Sequence, residues 1–136
     1  MIESAEEFIR LRFSEVPEDY QRSHLEPASI EVWRELLTKD ADVRYWVAHN
    51  RTVPIEILEI LSNDPDAKVR ERVAGKGKIA RTISFLEHFS KDSEEKIRRK
   101  IALNKFTPVY ILENLAKDEC AWVSDTAKLE LKNRNI

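Results

Sequence analysis

Three arginines, Arg44, Arg70 and Arg98, stand at one position of a recurring pattern, and four aspartates keep the same rhythm: Asp40, Asp64, Asp92 and Asp118. A guanidinium is always charged and presents a planar fork of donors, so a row of them can hold phosphates or carboxylates along a surface. The aspartates offer that fork an internal use, because each arginine can bond the aspartate of a neighbouring unit or a helix-end carbonyl. Since both residue types repeat together, the internal ladder is the preferred reading.

A second basic set reads better as a surface. Residues 68–105 carry 12 basic and 5 acidic side chains, a balance of +7, against −8 for residues 1–67 and −1 for residues 106–136. Ten of these cations form the cluster in question: Arg70, Arg72, Lys76, Lys78, Arg81, Lys96, Arg98, Arg99, Lys100 and Lys105. Lys76, Lys78 and Arg81 fall in the longest connection between helices, and Arg99 and Lys100 on the helix after it. Projecting on one side, they would make a patch of about six charges, the footprint of a surface for anionic partners. No aromatic residue is interleaved to stack bases, and Glu71, Glu94 and Glu95 dilute the field. An acidic protein is therefore expected ahead of nucleic acid, with a plain solvated face as the bland reading.

Tyr45, Trp46, His49, Asn50 and Arg51 are the densest group of recognition-type residues, and Trp and Arg are favoured at interface hot spots. Trp46 lies three residues past Val43, so filling core beside the first repeat is its first reading and partner contact its second. His24, His49 and His88 show no i, i+4 pairing and no His–Glu spacing that would hold a metal. Cys120 has Asp118 and Glu119 beside it, which disfavour a thiolate. A glycine-rich phosphate loop and a nucleophile elbow are both absent from the sequence. The chain is expected to be non-enzymatic, with no metal, no cofactor and no small-molecule ligand.

These residues must be positioned by helices. The chain has 136 residues, 35% of them charged, with two glycines and little strand-like alternation, which points to one all-α domain. An Asp, then Val-Arg or Ile-Arg, then Val-Ala or Ile-Ala occurs twice at a 28-residue offset: Asp64, Val69-Arg70, Val73-Ala74 and Asp92, Ile97-Arg98, Ile101-Ala102. First helices are predicted at 30–37, 54–61, 82–89 and 108–115, burying Trp33/Ile57/Phe85/Ile111 and Leu37/Leu61/Phe89/Leu115. Second helices bury Val43/Val69/Ile97/Val123 and Val47/Val73/Ile101/Ala127, each pair at i and i+4. A two-residue deletion precedes Val43 and a two-residue insertion lies around Gly75–Ala80. Asp64-Pro65, Asp92 with Glu95, and Thr107-Pro108 read as helix caps, and Asn50 and Asn104 as left-handed helix ends.

Residues 1–28 do not fit the pattern. They read as a helical cap: a first helix from Ser4 with Glu7 in a capping box, Phe8 and Phe13 facing inward, then a short helix from Pro17 to about His24. The repeats are 29–53, 54–80, 81–107 and 108–136. In the last, Ser124, Lys128 and Glu130 replace the repeated Arg, Ala and Asn, as a closing unit requires.

The pattern Asp-x4-Val-Arg-x2-Val-Ala-x-Asn-x3-Pro, clearest from Asp92 to Leu115, resembles the leucine-rich repeat variant and, in appearance, HEAT repeats. The resemblance covers residues 30–131 and implies a right-handed superhelical solenoid of short helix pairs, about four repeats behind an N-terminal cap. The chain also resembles small bacterial repeat proteins of unassigned function. The best-described variant-repeat type carries an iron–sulfur cluster, but its cysteines are missing here, so no cluster is implied. The functional expectation is a module that binds a protein partner through Arg72, Lys76, Lys78, Arg99 and Lys100, with Trp46 and Arg51 second. Nucleic-acid binding by residues 68–105 is the alternative, and an antitoxin- or immunity-like role a third. The acidic start lacks the basic, apolar character of a secretion signal, no apolar run reaches a membrane span, and one cysteine suits a reducing cytoplasm.

Overall fold

The computed structural model describes residues 1–135 and is all-helical: ten α-helices and no strand among the described residues. The chain divides into two compact units, Met1–Val73 and Ala74 onward, so the boundary falls at the end of the sixth helix.

The first unit holds α1 (Ala5–Arg12), α2 (Pro17–Leu25), α3 (Ile30–Leu36), α4 (Ala41–His49), α5 (Ile55–Leu61) and α6 (Ala67–Ala74), whose last residue opens the second unit. Ser4, Ser29 and Asp40 cap α1, α3 and α4 by accepting the N–H of Glu7, Val32 and Val43, which satisfies donors that a helix start otherwise leaves bare. Glu7 reaches back to the N–H of Glu3 at 2.8 Å, one residue beyond the expected box. The N–H of Ile2 donates to Pro27, so the chain start lies along the segment after α2. Phe8 and Trp33 meet edge to face at 5.7 Å in the core, both about 1% exposed. Burying rings and aliphatic side chains of this size contributes roughly 1.5–3 kcal/mol each. Phe13 does not join them; it is 52% exposed, because α1 ends at Arg12 before the next inward turn. In α3 the inward residue is Leu36 rather than Leu37, which is the half-buried C-cap.

The second unit holds α7 (Ile83–Ser90), α8 (Glu95–Leu103), α9 (Val109–Leu115) and α10 (Ala121–Asn133). Helix α8 packs against α7, α9 and α10, and Phe85, Leu86, Phe89, Ile97, Ile101, Ile111, Leu112, Leu115, Val123 and Ala127 are buried. The insertion around Gly75–Ala80 is a turn pinned by buried Ile79, with the N–H groups of Ile79 and Ala80 on the carbonyl of Lys76.

Three devices differ from the expected caps. The Asp64, Asp92 and Asp118 carboxylates accept the N–H two residues on, from Asp66, Glu94 and Cys120. Glu94 and Cys120 are the N-caps of their helices, so Asp92 and Asp118 act two residues earlier, as Asx turns that aim the chain into the helix. Asp40 is itself an N-cap. The two-residue deletion before Val43 accounts for the difference, since it moves the aspartate two places nearer its helix. Asn50 and Asn104 are extended, with φ of −61° and −75°, rather than left-handed. Each is a clamp: the Asn50 amide donates to the carbonyls of Ser23 and Glu26, and that of Asn104 to Ala80, while their side-chain oxygens accept from Thr52 and Phe106. Thr107 donates to the carbonyl of Ile101 instead of capping α9.

Candidate functional site

Arg44 and Arg98 are each bound by a carboxylate. Arg44 meets Asp64 through Nε and Nη2 at 2.8 and 3.2 Å, and Arg98 meets Asp118 at the same two distances. A third donor, Nη1, goes to a carbonyl before the helix: Lys39 for Arg44 and Asp92 for Arg98. Arg70 donates to the Asp64 carbonyl in the same way. Two forked bonds to a half-buried carboxylate raise the pKa of Arg44 and Arg98, and the Arg98 fork lowers that of Asp118. These guanidiniums are structural.

The ten cations of that cluster are dispersed. Arg70 and Arg72 lie in the first unit and the rest in the second. Lys76, expected on the surface, is only 7% exposed; it lies beside the turn anchored by Ile79. Lys78 is exposed. Arg81 lies over the ring of Phe106 at 4.5 Å and Lys105 over the same ring at 5.4 Å. Aromatic residues are therefore interleaved with these cations, contrary to the sequence reading, because Phe106 and Trp122 come from other segments.

The best-defined surface in the second unit is the outer face of α8 and α10. Arg99 donates Nε to the Thr126 hydroxyl at 3.1 Å and lies 4.6 Å from the centre of the Trp122 ring. The Thr126 hydroxyl in turn donates to the Trp122 carbonyl. This holds a guanidinium beside an indole, two side-chain types favoured at interface hot spots. On α8, Lys96, Arg99, Lys100 and Leu103 follow at i, i+3, i+4 and i+7, one stripe of the helix. Leu103, Trp122 and Leu129 are 54%, 45% and 58% exposed. Apolar side chains that large gain nothing where they stand.

Trp46 belongs to a cluster in the first unit. Arg12 lies 3.4 Å from the centre of its ring and 4.9 Å from that of Tyr20, and Tyr20 and Tyr45 meet it edge to face. His49 touches Trp46 and stacks on His24 at 4.4 Å. Arg72 donates Nε to Nδ1 of His49 at 3.0 Å, which makes that nitrogen a lone-pair acceptor. The structure thus joins Trp46, His49 and Arg72, and pairs two histidines that looked scattered. Arg51 is exposed outside this cluster, with its N–H on the carbonyl of His24. Sequence reading missed the parts of Arg12, Tyr20 and His24 in this cluster, because their contacts with Trp46 and His49 span more than 20 residues with no local pattern to show it. Trp122 was missed as well, although it occupies in α10 the column that Lys96 occupies in α8, a register that could have placed it beside the α8 cations.

His88 is exposed against Phe89, and the Cys120 thiol donates to Glu95 at 3.2 Å. Among the described residues no group of three or more His, Cys, Asp or Glu could hold a metal ion, and no helix is long and apolar enough to cross a membrane. No protein-family model, curated protein or solved structure matches the chain.

Proposed function

We propose that the chain is a non-enzymatic helical-repeat module, a right-handed α-solenoid of about four helix pairs behind an N-terminal cap, that binds a protein partner on the outer face of α8 and α10. The observation that carries this is the Arg99–Trp122–Thr126 arrangement with Lys96, Lys100, Leu103 and Leu129 around it. Cations surrounding exposed apolar anchors suit an acidic partner with apolar side chains of its own. The repeated Arg–Asp forks support the solenoid, since they join successive units of the sequence pattern. A single cysteine suits a reducing cytoplasm.

The test is capture of partners by the tagged protein from lysate of its source, with and without nuclease, beside a Leu103→Asp/Leu129→Asp variant. A stoichiometric protein band that survives nuclease and is lost with the variant supports the reading. A band the variant retains moves the interface elsewhere. The second reading, nucleic acid, is favoured by Arg81 and Lys105 over Phe106. It requires binding that vanishes with nuclease and weakens about tenfold per contacted phosphate for each tenfold rise in salt.

A further inference from the structure

Arg12 differs from the other half-buried arginines. Arg44 and Arg98 bond carboxylates, Arg72 bonds His49, Arg99 bonds Thr126, and Arg134 bonds Glu130 and three loop carbonyls. Arg12, at the end of α1, has no hydrogen-bond or ion-pair partner among the described residues, and its Nε is buried without an acceptor. What holds it is aromatic: Trp46 at 3.4 Å, Tyr20 at 4.9 Å and Phe13 at 5.4 Å from its central carbon. The ring contacts hold the guanidinium but leave its buried Nε–H without an acceptor, because an aromatic ring offers no lone pair for a conventional hydrogen bond. A charge held this rigidly, partly out of water and unpaired, departs from the rule that buried charges find partners.

We propose that Arg12, with Phe13, Tyr20 and Trp46, is a receptor for a carboxylate carried on an apolar-flanked acidic peptide of a protein partner. The open end of the guanidinium matches a carboxylate in two parallel bonds. Around it Phe13 and Tyr20 are 52% and 37% exposed, an apolar rim for the residues beside the carboxylate. A phosphate group carries up to two charges near neutrality and calls for a second cation, but the other arginine of the cluster, Arg72, is committed to His49. Residues 1–73 hold 16 acidic and 10 basic side chains, a balance of −6, which repels polyanions at long range while one short-range fork still accepts one carboxylate. This site lies in the first unit and is independent of the α8–α10 face.

The test uses two blocked hexapeptides, Ac-Gly-Phe-Glu-Leu-Glu-Gly-NH2 and its counterpart with both Glu replaced by Gln, titrated into the full-length ¹⁵N-labelled chain. The Arg12 Nε–Hε resonance, assigned by its loss in Arg12→Met, is the readout. The expected result is a saturable shift with the Glu peptide, affinity at least tenfold above the Gln peptide, and a roughly tenfold loss in Arg12→Lys. Leu103→Asp/Leu129→Asp binds it as wild type does, which separates this site from the α8–α10 face. Equal binding of the two peptides, no shift at Arg12, or displacement of the Glu peptide by equimolar inorganic phosphate overturns the proposal. The wild-type comparison decides even where an Arg12 variant fails to fold.

Discussion

Arg98 and Asp118 face each other fork to fork across 20 residues of sequence, and Arg44 and Asp64 do the same across the same separation. With side-chain exposures of 16% and 11%, the Arg98–Asp118 pair is largely out of water. Removing one partner leaves the other charge half-buried and alone. Asp118→Asn is expected to cost about 2 kcal/mol, discounted from the fully buried case, and to lower the melting temperature by several degrees. Adding Arg98→Met to Asp118→Leu should recover much of the loss of either single change. Thermal denaturation of the four proteins of the cycle measures this coupling.

Asn50 distinguishes two accounts of a helix-end asparagine. Were it chosen for a left-handed backbone, Asn50→Gly would be harmless. As a fully buried clamp on Ser23, Glu26 and Thr52, it is expected to be as damaging when changed to Gly as to Ala. Each change should cost about 2 kcal/mol, from carbonyls left without donors. Urea unfolding of both variants checks it.

Lys76 and Lys78 should respond oppositely to reversal. Lys76→Glu places a carboxylate at a site 7% exposed and is expected to destabilise by about 2–3 kcal/mol. Lys78→Glu, on an exposed side chain, should stay within about 0.5 kcal/mol of wild type. Melting curves of the two variants suffice.

Acid should weaken the fold through specific carboxylates. The Arg22 hydrogen bond and the N-terminal ammonium hold Glu26 at about 2, and the Arg98 fork holds Asp118 below the usual range. Both bind a proton less readily folded than unfolded, so the unfolded chain takes up more protons as pH falls. Their stabilisation is complete above the ordinary carboxylate range, near 4, and for Glu26 is lost as pH falls toward 2. Urea midpoints at pH 5 and pH 2.5 should therefore differ more for wild type than for Glu26→Gln, and equal differences would discount this pair.

The helices and their inward stripes were legible because burial imposes a period: Val43, Val69, Ile97 and Val123 all lie inside, as spaced. The internal use of Arg44 and Arg98 was legible too, since Arg and Asp recur in step. What escaped is chemistry without periodicity. Phe106 and Trp122 reach their cations across loops and helices, and Arg12 reaches Trp46 across 34 residues. Lys76 looked like a loop cation, because one-dimensional spacing cannot tell an exposed turn from one drawn inward by Ile79.

The arginine forks also bear on how such a chain can diverge. An arginine that closes on a carboxylate 20 residues away cannot change alone, and a single-residue insertion between the two breaks the closure, whereas adding a whole unit leaves it intact. The forked positions are thus tied to one another in pairs, whereas irregular ones such as Arg12, Trp46, Arg99 and Trp122 carry no 20-residue closure.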